Sequence, residues 1–322
     1  MKLKKPLNIV ADIGGTNARF ATVDPGDSQL QAITVLPCAE YATLSDALSA
    51  YIAQHNIESV NQVCLAVAGP VQGDVIDLPN NLWCFSRSEL QSQFSADVLV
   101  INDFSAQILS VALLNESELH WIGAPRPVPN EQAVIAALGP GTGLGVAAMT
   151  ASGDILPSEG GHVSFTPQNK HEVDLLCQLW QRYDRVSAER VLSGVGLENL
   201  YWANCQLGGD STRAKPPLTA PEISAAAAAG DEVCLRTIED FSAILGSLAG
   251  DAALMIGAMD GVYLAGGILP KLLGLLDESL LRQRFDSKGR FSELCSNIPV
   301  AIILSEYPGL VGCVEAIRRN GK

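Results

Sequence analysis

Twice in this chain a short apolar run stops at a cluster of glycines and resumes as a second apolar run. ADIGGTNARFA (Ala11–Ala21) and ALGPGTGLGVA (Ala137–Ala147) align with Gly15 over Gly141 and Thr16 over Thr142. Two apolar runs around a Gly-rich turn read as a β-hairpin. Asn8–Ile13 and Ala18–Val23 therefore pair around Gly14-Gly15-Thr16-Asn17, and Gln132–Leu138 and Leu144–Met149 around Gly139-Pro140-Gly141-Thr142-Gly143. Two Gly-rich turns can coincide by chance, but each of these opens one half of the chain, which favours a duplicated domain.

Strand-like and helix-like segments alternate through the rest, which signals an α/β protein. Leu44, Ala47, Leu48, Tyr51 and Ile52 follow i, i+3, i+4, i+7, i+8 spacing, so Thr43–Asn56 reads as an amphipathic helix. Val63–Ala68 and Asp97–Ile101 read as strands, and Phe104–Leu114 as the helix after the second of them. Further helices are expected at Val173–Tyr183, Ser187–Ala203, Pro221–Ala229, Asp231–Ile256 and Pro308–Arg319, with strands at Val262–Leu264 and Ile298–Leu304. Trp121–Asn130, with three prolines, and Gln206–Pro217 read as linkers. At 322 residues the chain has room for about two domains.

Composition removes several classes of function. Lys+Arg 21 against Asp+Glu 35 leaves a net charge of −14, which repels a phosphate backbone and an anionic membrane surface, so neither nucleic acid nor membrane is expected as a partner. Hydrophobic residues at 48% and charged residues at 17% are those of a folded globular chain. The eight cysteines contain no C-x-x-C pair and no zinc-ribbon spacing, and a disulfide scaffold is improbable at this length. The basic start MKLKKPLNIV is followed by too short an apolar segment for a signal peptide, and no apolar run reaches about 18 residues. A cytoplasmic location is expected.

Four constellations could carry chemistry. In Ala11-Asp12-Ile13-Gly14-Gly15-Thr16-Asn17 the glycines leave backbone N–H groups open to phosphate oxygens. An acid beside such a nest would repel phosphate without a cation between them, so Asp12 implies Mg²⁺, held directly or through water. The same residues would also serve as a plain hairpin turn with a structural aspartate. Gly141-Thr142-Gly143 offers a second nest, and at the counterpart of Asp12 it has Leu138, so only the first turn carries a metal-facing acid. Pro140 takes one N–H donor out of that nest.

Asn102-Asp103 ends an apolar strand, where Asp103 can take a proton from an alcohol. On local sequence alone, Asp103 as the N-cap of the following helix is the stronger of the two roles. Glu159-Gly160-Gly161-His162 and, further on, Glu189 supply groups suited to sugar hydroxyls, although Glu189 also fits the first turn of a Ser187-capped helix. His162 shares no ligand spacing with His55, His120 or His171, so histidine-held metal is not expected. Asn80-Asn81 before Trp83 could supply amides to a polyol or simply form a turn. Gly266-Gly267 after a strand marks another close backbone approach, or only strand–helix packing.

Taken in order, DIGGTNARF, INDF, GPGTGLGV, EGGHVSF, SAERVLSGVGL, YLAGGI and KGRF resemble the bacterial glucokinases of the hexokinase–actin-like ATPase superfamily, over essentially the whole chain. The resemblance implies a two-domain actin-like ATPase (ribonuclease H-like) α/β fold with the active site in the interdomain cleft, and a homodimer. The small domain would be residues 1–112 with 307–322, and the large one 113–306. Asp103 would be the base for the sugar 6-hydroxyl. Asn80, Asn102, Asp103, Glu159, His162 and Glu189 would contact the sugar, and Asp12 would face Mg²⁺. ATP would be held by Ala11–Asn17, Gly141, Thr142 and Gly143, with Gly266 and Gly267 at the adenosine.

Related ROK-type kinases carry a C-x-C-G-x-x-G-C-x-E zinc element after E-x-G-H, whereas Val163–Arg182 contains only Cys177, so no zinc is expected. The expected activity is ATP-dependent phosphorylation of glucose at the 6-hydroxyl. Two rivals differ from it. One is a kinase for another hexose or amino sugar, such as mannose or N-acetylmannosamine. The other is a non-catalytic sugar sensor, which would need a DNA-binding segment and has no reason to keep both Asp12 and Asp103.

Overall fold

The computed structural model describes residues 5–78, 81–124, 134–209 and 217–321. The chain divides into two compact units, Met1–Asn115 with Ser305–Lys322, and Glu116–Leu304.

Unit one is built on seven strands, β1 (Leu7–Ile13), β2 (Asn17–Val23), β3 (Gln31–Pro37), β4 (Val60–Val67), β5 (Val75–Asp77), β6 (Cys84–Ser86) and β7 (Asp97–Asn102). Five of them form one sheet in the order β3-β2-β1-β4-β7, and β5 and β6 make a separate ribbon. β1 pairs antiparallel with β2 and parallel with β4, and β4 pairs parallel with β7. Apolar side chains from one face of this sheet build the core with the helix Leu44–Gln54, where the Phe20 ring stacks on Tyr51 with centroids 5.3 Å apart. The helix Leu44–Gln54 starts at a capping box between Thr43 and Asp46.

Unit two adds β8 (Leu119–Trp121), β9 (Ile135–Pro140), β10 (Leu144–Met149), β11 (Ile155–Ser158), β12 (Gly261–Leu264) and β13 (Val300–Ile303). They form one sheet ordered β11-β10-β9-β12-β13-β8. Its first five strands repeat unit one strand for strand, with antiparallel pairs around the hairpin and parallel pairs beyond it. In such sheets ligands gather at the carboxyl ends of the parallel strands. Asp12 lies at that end of β1, Asn102 closes β7, and Gly266 follows β12.

Glycines set two close helix crossings. A Cβ on Gly312, in the helix Pro308–Asn320, would run into the Ala106 carbonyl of the helix Asp103–Ser110. In unit two, Gly246 and Gly250 of the long helix Glu232–Ile256 face the backbone of Leu281 and Phe285 in the same way. Among the described residues no helix is long and apolar enough to cross a membrane.

Several sequence expectations need correction. The helix expected at Ser187–Ala203 is two elements, a 3₁₀ turn Ala188–Arg190 and a helix Gly194–Leu207. The second is capped by Ser193, whose hydroxyl accepts the Gly196 N–H, while Ser187 makes no side-chain cap. Glu189 therefore lies in a single 3₁₀ turn after Ser187 rather than in the first turn of the long helix. The helix expected at Phe104–Leu114 runs Asp103–Ser110, and its N-cap is Asn102 rather than Asp103. The strands β3, β5, β6, β8 and β11 are not among those expected from the sequence. Residues 125–130 and 210–216 of the two expected linkers lie outside the described residues.

Candidate active site

In unit one the site grows from the β1–β2 hairpin. Asp12 and Arg19 are cross-strand partners, and the Arg19 Nη1 stands 3.4 Å from Asp12 Oδ2. The Asp12 side chain is only 21% exposed. Burial raises its carboxyl above the usual range, and the Arg19 charge opposes that shift. A Cβ on Gly309 would come within 2.8 Å of Asp12 Cγ, so the first turn of the helix Pro308–Asn320 abuts the carboxylate.

The turn itself is tied down from outside. The Gly14 N–H donates to the Asn17 carbonyl at 3.0 Å. The Gly14 carbonyl accepts from Asn81 Nδ2 at 3.0 Å and from the Cys38 thiol at 3.7 Å. The Cys38 N–H donates to the Thr16 carbonyl at 2.8 Å. Gly15 and Thr16 are exposed at the tip. Ala11 and Ile13 have buried side chains, which leaves only their peptide groups to meet a ligand, and the Ala11 carbonyl accepts from the Cys313 thiol at 3.5 Å.

Asn102 and Asp103 sit where β7 turns into a helix. The Asn102 Oδ1 accepts the N–H groups of Phe104 and Ser105 at 2.9 and 3.1 Å. Its amide nitrogen donates to the Gly69 carbonyl at 3.4 Å and keeps a second N–H for a ligand. Because Asn102 takes the capping role, Asp103 is released from it. The Asp103 carboxyl is half-buried and pushed up to about 6, chiefly by burial and further by the charge of Asp12, against the pull of the Phe104 N–H.

In unit two the Gly141 N–H donates to the Gly143 carbonyl at 2.8 Å, and the Gly141 carbonyl accepts the Gly194 N–H at 2.9 Å. Thr142 is exposed at the tip. Gly266 has a φ of +89° and no room for a side chain, because a Cβ would run into the Pro140 carbonyl. The Ala265 N–H donates to the Leu138 carbonyl at 2.7 Å, and open space surrounds Gly267. Gly266-Gly267 and the second turn therefore lie together.

The turn Gly160–His162 follows Glu159, and both Glu159 and His162 are exposed. A Cβ on Gly160 would meet Val146, and one on Gly161 would run into the Leu144 carbonyl. Only glycine lets this turn lie on β10. Glu189 is half-buried, and its Oε2 accepts the Leu144 N–H at 3.0 Å.

Unit one thus gathers Asp12, Gly14–Asn17, Asn102 and Asp103. Unit two gathers Gly141–Gly143, Glu159, His162, Glu189, Gly266 and Gly267. Asn80 lies outside the described residues. Arg19, Gly309 and the anchoring role of Asn81, whose Oδ1 also accepts the Trp83 N–H at 3.1 Å, were not among the residues expected at the site. Arg19 had a signal, since it lies seven positions after Asp12 across a four-residue turn, where a hairpin places a partner.

Comparison with known proteins bears on what this arrangement does. The family model described as Glucokinase matches residues 9–320. A glucokinase of Chromohalobacter salexigens is 44% identical over 316 residues, covering 97% of this chain and 98% of the relative. One of Hahella chejuensis is 39% identical, covering 97% of each chain. Among solved structures, a glucokinase from an Antarctic psychrotroph superposes with a TM-score of 0.89 at 35% identity, covering 98% of this chain and 100% of that one. A ROK family glucokinase from Streptomyces griseus, in complex with glucose and AMPPNP, shares the fold with a TM-score of 0.67 at 19% identity, covering 97% and 99%.

Proposed function

This chain belongs to the glucokinase family and phosphorylates glucose, and we propose that it does so at the 6-hydroxyl, with ATP as donor and Asp103 as the general base. Its fold is the two-domain actin-like ATPase fold, and its substrate is a small-molecule sugar. The observation that carries the proposal is Asp103. It is freed from capping by Asn102, half-buried, and poised at about 6, so it is ionised at neutral pH yet basic enough to accept a hydroxyl proton.

Phosphoryl transfer leaves the protein little covalent chemistry to perform. Positioning and charge neutralisation dominate. In the proposal, Asp103 orients the attacking hydroxyl and receives its proton. Asn102, Glu159, His162 and Glu189 hold the remaining hydroxyls, with Asn80 assigned to the same task. The turns Gly14–Asn17 and Gly141–Gly143 present amides to the phosphates, and Gly266-Gly267 leaves a flat approach for the adenosine.

The residues present suit Mg²⁺. Mg²⁺ is bound through one or two carboxylates plus substrate phosphates rather than by an all-protein cage. Asp12 would be that carboxylate, and its negative charge already raises the Asp103 carboxyl, a repulsion that a cation would relieve. Bound there, Mg²⁺ would neutralise charge on the phosphoryl oxygens. A homodimeric assembly and a cytoplasmic location belong to the same proposal and rest on the family resemblance.

The test is an ADP-release assay over a sugar panel. Glucose should turn over faster than mannose or N-acetylmannosamine. Asp103→Ala should lower kcat by about 10²–10⁴-fold while glucose binding by calorimetry persists. Near wild-type turnover by that variant would remove Asp103 as the base, and turnover on N-acetylmannosamine with none on glucose would remove the glucose assignment.

A further inference from the structure

The two sugar-contacting turns of unit two grip one residue, Leu144, from both sides. Its N–H donates to Glu189 Oε2 at 3.0 Å, and its carbonyl is packed against Gly161 so closely that no Cβ would fit. Leu144 directly follows the phosphate turn Gly141-Thr142-Gly143. The two sugar turns are also zipped together. The Ala188 N–H donates to the Val163 carbonyl at 2.8 Å, the Phe165 N–H donates to the Val186 carbonyl at 3.0 Å, and Ser164 bridges to Ser187. A third tie runs through the helix start. The Ser193 hydroxyl donates to the Glu189 carbonyl at 2.8 Å, and its neighbour Gly194 holds the Gly141 carbonyl.

Gly143 supports the same picture. It is not among the glycines with positive φ, yet a Cβ there would stand 2.5 Å from Glu189 Oε2. A side chain at this position would push the carboxylate aside rather than strain the backbone. A carboxylate offers about four lone-pair sites, and among the described residues Glu189 Oε1 takes no hydrogen bond.

We propose that Glu189 is a positioning residue that links the sugar subsite to the phosphate turn, one oxygen holding the Leu144 N–H and the other facing the hexose, so that bound sugar tightens nucleotide binding. This rests on the glucokinase function proposed above. Coupling of this kind is reciprocal, so nucleotide would tighten sugar binding by the same factor.

Two measurements on the full chain test it. Calorimetry of a non-hydrolysable ATP analogue with Mg²⁺, with and without saturating glucose, should show at least about fivefold tightening by glucose in the wild type. Gly143→Ala, whose methyl displaces the carboxylate, should bring that factor close to one while glucose still binds alone. Glu189→Gln, which keeps an acceptor for the Leu144 N–H, should retain the coupling although glucose binds more weakly. Hydrogen exchange in the unaltered protein should slow across Gly141–Leu144 on adding glucose alone. A coupling factor of one in the wild type, wild-type coupling in Gly143→Ala, or unchanged exchange at Gly141–Leu144 would overturn the link. If the wild type phosphorylates glucose while showing those results, only the link fails; if it does not phosphorylate glucose, the proposed function fails first.

Discussion

The two glycine turns have one shape and different surroundings. In each, the N–H of the leading glycine closes the turn on itself, and its carbonyl is held by a donor from outside. The first turn is anchored by the Asn81 and Cys38 side chains together with the Cys38 N–H, and has an acid beside it in Asp12. The second is anchored by backbone, through Gly194, and by the Glu189 carboxylate beneath it. Where Asp12 leaves 21% of its side chain exposed, the counterpart Leu138 is wholly buried. The same cradle occurs twice, and its surroundings differ: a partly exposed acid beside the first, a buried leucine and a hydrogen-bonded carboxylate beside the second.

Exchanging those surroundings should have the largest effect. Asp12→Asn should lower kcat by about 10²–10³-fold without loss of folding by circular dichroism, because the cation proposed at Asp12 would supply several kcal/mol of charge stabilisation at the transferring phosphoryl group. Leu138→Asp should instead abolish folding, since it places an unpaired carboxylate where the side chain is fully buried. A folded, active Leu138→Asp protein would show that the two turns tolerate an acid equally.

The next effect is on pH dependence. As the proposed base, Asp103 would act only when ionised, so kcat/KM should be level near pH 7–8 and fall about tenfold per unit below about pH 6. The Asp12 charge helps to raise that carboxyl. Residual activity of Asp12→Asn should therefore lose its acid limb at a lower pH than the wild type. An unmoved limb would separate the two aspartates.

The smallest effect should distinguish the two kinds of anchor. Asn81→Ala removes a hydrogen bond worth about 1 kcal/mol, which corresponds to roughly a fivefold rise in the KM for ATP with the KM for glucose little changed. Equal changes in both constants would show that the side-chain anchor does not act on the first turn alone.

What could be seen in the sequence was local. Both hairpins, the strand ending at Asn102-Asp103 and the helix beginning at Pro308 each depend on neighbours a few positions apart, and the structure has them all. Expectations failed where two residues competed for one role. Asn102 and Asp103 are both good caps, as are Ser187 and Ser193, and only the observed backbone decides between them. Contacts between distant parts left no local trace. Nothing near Glu189 points to Leu144, forty-five positions earlier, and nothing near Gly309 or Gly312 points to Asp12 or Ala106. The resemblance to a family named Glu189 as a sugar contact, but not its second bond.

The fit of Gly312 against Ala106 and of Gly309 against Asp12 has a consequence for biosynthesis. Domains tend to acquire structure in the order in which the ribosome releases them. Unit one breaks that order, because Pro308–Asn320 completes the packing around Asp12 and against the helix Asp103–Ser110. Glu116–Leu304 emerges in between and can settle earlier. A nascent chain therefore holds Asp12 and the helix that begins at Asp103 in an unfinished setting until Pro308–Asn320 has been translated.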